Sequence, residues 1–195
     1  MSHFLAIKLS EYIGKHNKLT EGEKNIYRYC IEKIISKTIY ILIILITGIL
    51  LNQFFLAIVF MTTIVSLRTF GGGIHASSRI LCGLISYSVG VIPMLLIDWL
   101  ENMISPVIFI YMYLICIVFS VFIAPVDTRN KRFSPKQKKK LKKKFLIFVC
   151  IMSISFFIFI RFKLIPYYAL ISIGVLVCSI SFLLGYIQNK IGETK

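Results

Sequence analysis

An all-α integral membrane protein is the fold class this sequence predicts, with six transmembrane helices, amphipathic helices ahead of them and one glycine-rich cytoplasmic loop. Three observations predict it. Of the 195 residues, 57% are hydrophobic and the mean hydropathy is +0.83, well above the apolar share of ordinary soluble domains. The apolar residues fall in long charge-free runs. The cations behind a net charge of +15 cluster between those runs, whereas a nucleic-acid module would spread them over a soluble face, so no nucleic-acid partner is expected. Residues 1–195 read as one membrane domain.

Residues 1–37 are expected to form amphipathic helices on the cytoplasmic side. Phe4, Leu5, Leu9, Tyr12 and Ile13 follow helical spacing, with Lys8, Glu11 and Lys15 elsewhere around the wheel. Such a helix lies on the membrane surface or against the bundle. A second opens on Thr20, Glu21, Gly22 and Glu23, a capping-box pattern, followed by a stripe of Ile26, Tyr27, Cys30, Ile31, Ile34 and Ile35. The stripe can run straight into the first membrane segment. No secretory signal is expected, since the longest early apolar run is Phe4 to Ile7.

From Thr38 to Leu67 no residue is charged, a length of about 45 Å as one straight helix against about 30 Å of hydrocarbon. The pair Asn52 and Gln53 divides the run, so residues 38–67 are expected to form a helical hairpin. Parity supports two crossings. The N-terminal 37 residues hold seven Lys or Arg, and the segment from Arg129 to Lys144 holds ten. A single crossing would put these two groups on opposite sides of the membrane, which the positive-inside rule disfavours. The third and fourth spans fall within 80–125, a basic cytoplasmic loop within 126–144, the fifth and sixth spans within 145–187, and a cytoplasmic tail at 188–195. Asp98 and Glu101 then face outward, with the small Arg161 and Lys163 turn as the one anomaly. The chain is expected in a bacterial cell membrane with both termini in the cytoplasm.

The stretch "RTFGGGIHASSRILC", Arg68 to Cys82, is then a cytoplasmic loop (68–79) leading into the third span. In an unbroken helix His75 and Cys82 would share a face but stand about 10 Å apart along the axis, too far for the contact of about 3 Å that activates a thiol. Gly71, Gly72 and Gly73 oppose an unbroken helix, and Ser77 or Ser78 suits an N-cap. His75 on the loop can therefore fold back over the first helical turn. A helix N-terminus, two arginines and an imidazole all favour a thiolate at Cys82. The chemistry that suits is acyl transfer: Cys82 attacks a carbonyl, His75 moves the proton, and backbone N–H groups near the glycines meet the oxyanion. Ser86, one turn beyond Cys82, can support the site.

The same residues allow plainer readings. Cys82 can be a packing residue, the glycines a tight turn, and the lysines anchors for anionic membrane lipid. Five cysteines without CxxC spacing indicate neither a disulfide framework nor a zinc site, and no metal or cofactor is expected. A small peptide transporter or export channel is the main alternative, with the hairpin and glycine loop as a re-entrant gate; against it, the spans hold almost no buried charge. A phospholipid transferase would need clustered carboxylates, which eight scattered acidic residues do not supply. A non-catalytic scaffold predicts a silent Cys82→Ala.

Arg68, Gly72, Gly73, His75, Ala76 and Cys82, in that order and spacing, together with "APVDTRNKRF" (Ala124 to Phe133) and the lysine run, resemble the accessory gene regulator B (AgrB) family of membrane cysteine peptidases in Gram-positive quorum sensing. The resemblance covers most of the chain. It implies an AgrD-like propeptide as substrate, cut by Cys82 at the C-terminal side of the signal sequence and cyclised to a thiolactone or lactone. His75 would serve as base and acid. Arg68 and Gly73 match family positions needed for activity, and a homodimer is implied. Lys138, Lys139, Lys140, Lys142, Lys143 and Lys144 could then attract the propeptide's acidic tail as well as lipid, a tether that weakens as salt rises. Asp127 and Asn130 are candidates to orient His75.

Overall fold

The computed structural model describes residues 7, 8, 11, 20–73, 79–127 and 134–193. They form six long helices: α1 Glu21–Leu50, α2 Phe54–Gly71, α3 Arg79–Met103, α4 Pro106–Ile123, α5 Pro135–Arg161 and α6 Ile165–Glu193. Each contains a stretch long and apolar enough to cross a membrane. The chain is an all-α, multi-pass membrane protein.

Helix α1 is 30 residues long, about 45 Å, so its charged first turns project beyond about 30 Å of hydrocarbon. Its start is fixed by the expected capping box: the Thr20 N–H donates to Glu23 Oε2 at 2.9 Å and the Glu23 N–H to Thr20 Oγ1 at 3.4 Å. Surface helix and first span are therefore one continuous element. Along the expected stripe Ile26 and Ile34 are exposed and Ile31 and Ile35 half-buried, while Glu32 is buried. The preceding helix expected around Phe4 to Ile13 lies mostly outside the described residues. Asn52 and Gln53 do break the hairpin. Asn52 takes a left-handed φ of 56°, and the Gln53 N–H closes the turn on the Gly48 carbonyl at 2.7 Å.

Two boundaries differ from expectation. The basic segment assigned to a loop is helical from Pro135 onward, because Ser134 and Gln137 form a second capping box and no breaker interrupts the lysines, which are good helix formers. Likewise the expected tail at 188–195 continues α6 as far as Glu193.

The packing is that of a bundle in lipid. Large side chains such as Leu50, Phe55, Ile115, Phe122 and Ile154 face outward, a surface that water would not tolerate at this extent. Inside, small and hydroxylated residues let helices approach closely. Helix α6 is the hub, packing against α2, α3, α4 and α5. The Ser179 hydroxyl meets Ser120 Oγ at 2.8 Å and lies 3.0 Å from the Cys116 carbonyl oxygen, and the Ser172 hydroxyl lies 2.9 Å from that of Phe109. These contacts join α4 to α6. On α4 and α5, Tyr113 stacks on Phe156 at 3.8 Å and its hydroxyl reaches Ser153 at 2.7 Å.

Alternation of the six helices sorts the connections onto two sides. The 51–53 turn, Asp98, Glu101 and the Arg161 to Leu164 turn share one side. On the other lie the start of α1, the end of α2, the start of α3, the end of α4, the start of α5 with its lysines, and the end of α6.

Candidate active site

The second of these sides holds the glycine stretch. Helix α2 ends at Gly71, and the next two residues leave it through left-handed backbone, with φ of 78° at Gly72 and 108° at Gly73. Glycine is required at both for a spatial reason as well. A β-carbon on Gly72 would collide with the Val126 carbonyl oxygen, and one on Gly73 would sit 2.7 Å from Ser181 Oγ. Beneath them the Phe182 ring fills the place of a side chain at Gly71 and meets Phe145 edge-on at 6.1 Å.

What holds the turn is a segment from elsewhere in the chain. Gly72 and Val126 form a parallel bridge, and the Val126 N–H donates to the Gly71 carbonyl at 2.9 Å. Ala124 and Val126 are buried. Three side chains secure that segment. Lys142 on α5 donates to the carbonyls of Val121 and Ala124, the latter at 2.6 Å. Asn189 on α6 donates from Nδ2 to the Asp127 carbonyl at 2.7 Å. Lys138 pairs with the Asp127 carboxylate at 2.6 Å.

The predicted site residues fall as follows. Cys82 is in the first turn of α3, at the helix start where a thiolate is favoured; its side chain lies outside the described atoms. His75 and Asn130 lie outside the described residues. Ser86 follows Cys82 by one turn and is half-buried. Arg68, in the last turn of α2, is half-buried. The six lysines divide. Lys139, Lys140, Lys143 and Lys144 are exposed, whereas Lys138 and Lys142 are engaged by Asp127 and the end of α4. The two therefore also support the turn, which the other four do not.

Sequence reading missed Asn189, Ser181 and the pairing of Val126. Ser181 is 8% exposed, and its hydroxyl, beside Gly73, finds no hydrogen-bond partner among the described residues. The polar pair Gln188 and Asn189 at the end of an apolar run was the available signal.

A family model, Accessory gene regulator B, matches residues 6–182, a span that takes in the glycine turn, the start of α3 and the lysine-bearing helix. The chain belongs to the AgrB family. Among curated AgrB-like relatives, a Clostridium perfringens (strain SM101) protein is 30% identical over 70% of this chain and 66% of its own length. A second, from C. perfringens strain 13, is 31% identical over 74% and 68%. Accessory gene regulator protein B of Staphylococcus intermedius is 28% identical over 55% and 57%. The chain thus spans about two thirds of the two clostridial AgrB-like proteins. No solved structure matches.

Proposed function

We propose that this AgrB-family chain is a cysteine endopeptidase of the bacterial cell membrane. It cleaves an AgrD-like propeptide after its signal sequence and passes the acyl group on to form a ring, in quorum sensing. The observation that carries the reading is the pinned Gly71 to Gly73 turn. It launches the His75-bearing segment from the end of α2 toward the start of α3, where Cys82 occupies the first turn. His75 follows Gly73 by two residues, so covalent reach alone keeps it within about 7 Å of the pinned point.

In the proposed reaction His75 takes the Cys82 proton as sulfur attacks the scissile carbonyl carbon. The tetrahedral adduct collapses with loss of the tail's amine, which receives that proton. A Cys or Ser of the propeptide then attacks the thioester, closing a thiolactone or lactone and returning a proton to the Cys82 sulfur. Exchange of one thioester for another is close to energy-neutral, so ring formation needs no ATP. The exposed Lys139, Lys140, Lys143 and Lys144 supply a cationic face for an acidic tail or for anionic lipid. By the positive-inside rule that side is cytoplasmic, and with it both ends of the described bundle. A homodimer is part of the proposal, since a bundle of six helices encloses little room for a peptide.

The test is the intact mass of a propeptide from a neighbouring reading frame, co-expressed with wild type, Cys82→Ala and His75→Ala. Wild type alone should yield a truncated product one water lighter than the linear acid. Cleavage that persists without Cys82 removes the nucleophile and restores the transporter reading.

A further inference from the structure

Four helix ends converge on residues 121–127. Helix α4 delivers the segment, α2 pairs with it through Gly71 and Gly72, and α5 and α6 each send a polar side chain into it. Lys142 is the stronger of the two. As a cation set on the last carbonyls of α4, it answers both the unpaired backbone acceptors and the negative end of the helix dipole. Asn189 holds the segment's far end through the Asp127 carbonyl. Between them Ala124 and Val126 are buried, so the segment cannot shift without breaking one contact or the other. The Lys138–Asp127 pair adds little, because its lysine is 45% exposed and such surface pairs contribute weakly. Asn189 also lies beyond the residues that the family model matches, 6–182.

We propose that Lys142 and Asn189 are positioning residues for acyl transfer: by clamping the Ala124 to Asp127 segment they fix the Gly72 to Gly73 exit, the covalent anchor of the segment that carries His75 toward the helix bearing Cys82. This rests on the cysteine-peptidase reading. Neither residue touches the reacting atoms. Their effect is geometric, and misplacement of a catalytic group by about 1 Å costs on the order of 10²-fold in rate.

The experiment uses the full chain in nanodiscs with three variants, Lys142→Met, Lys142→Arg and Asn189→Ala. The first readout is the pH dependence of N-ethylmaleimide addition to Cys82, located by peptide mass spectrometry. The second is kcat and KM for propeptide cleavage. Wild-type Cys82 should react with a midpoint below the ordinary thiol value of about 8.5. Lys142→Met and Asn189→Ala should move that midpoint upward and lower kcat about 10- to 100-fold with KM within about twofold. Lys142→Arg, still a cation able to reach two carbonyls, should recover most of both. Unchanged profiles and kcat in folded variants overturn the proposal. So does a loss of kcat that only tracks a fall in melting temperature, with the maleimide profile unmoved. Should Lys142→Met not fold, Asn189→Ala decides alone, since it removes one hydrogen bond at a helix end. Propeptide cleavage that survives Cys82→Ala would defeat the peptidase reading, whereas the maleimide profiles would still report on the clamp.

Discussion

At Gly72 a single hydrogen atom in place of a side chain lets two distant segments pair. The left-handed φ of 78° and the Val126 carbonyl oxygen where a β-carbon would stand make two independent demands on that residue. Gly72→Ala should therefore destabilise the fold by about 1–3 kcal/mol from backbone strain alone, with the collision added. The expected outcome is a melting temperature lowered by several degrees in detergent and loss of the proposed propeptide cleavage. An alanine variant that melts and cleaves like wild type would mean that the turn tolerates a different path. The sequence disclosed the glycines as a break in helix because that property is local to the residue. Val126 was not legible as their partner, since hydrogen bonding across 54 intervening positions leaves no periodic trace.

At the scale of elements, the spans were legible because charge-free runs and membrane thickness set their number together. The Asn52 and Gln53 break marked the hairpin for the same reason. Helix α5 was harder. Its lysines suggest solvent by charge, yet Ser134, Pro135 and Gln137 spell a helix start that outweighs the charge. The contacts that join α4 to α6 were not legible, since serines in apolar runs carry no signal of which helix they will meet. Those contacts should matter modestly. Ser179→Ala removes the hydroxyl shared among Ser120, Cys116 and Val175, and interhelical hydrogen bonds in bilayers average about 0.6 kcal/mol. Unfolding in mixed micelles should show a loss of about 0.5–1 kcal/mol. Ser155→Ala should show almost none, because among the described residues the Ser155 hydroxyl bonds only its own helix at Ile151. Equal effects of the two substitutions would mean that the α4–α6 contact adds nothing.

For the whole molecule, six crossings put the lysine-rich start of α5, the glycine turn and the end of α6 on one side, and the 51–53 turn with Asp98 and Glu101 on the other. Single cysteines introduced at Asn52 and Gln137, in chains lacking Cys82 and the exposed Cys30 and Cys150, test this directly. A membrane-impermeant maleimide applied to intact cells should label position 52 and spare position 137 until the membrane is opened. The reverse pattern would invert the assigned sidedness, and labelling of both would mean an even number of crossings between them.

The central helix of the bundle, α6, is also the last of the six to be synthesised. Five helices therefore enter the bilayer before the one that four of them pack against exists, with their small and hydroxylated faces turned to lipid or to passing partners. Ser181, Phe182 and Asn189, which back the glycine turn and its clamp, arrive later still, near the close of that helix. On the ribosome, a chain that has already placed Cys82 in the membrane still lacks the wall behind the turn. The nascent chain thus gains its proposed nucleophile long before the support of the turn that would serve it.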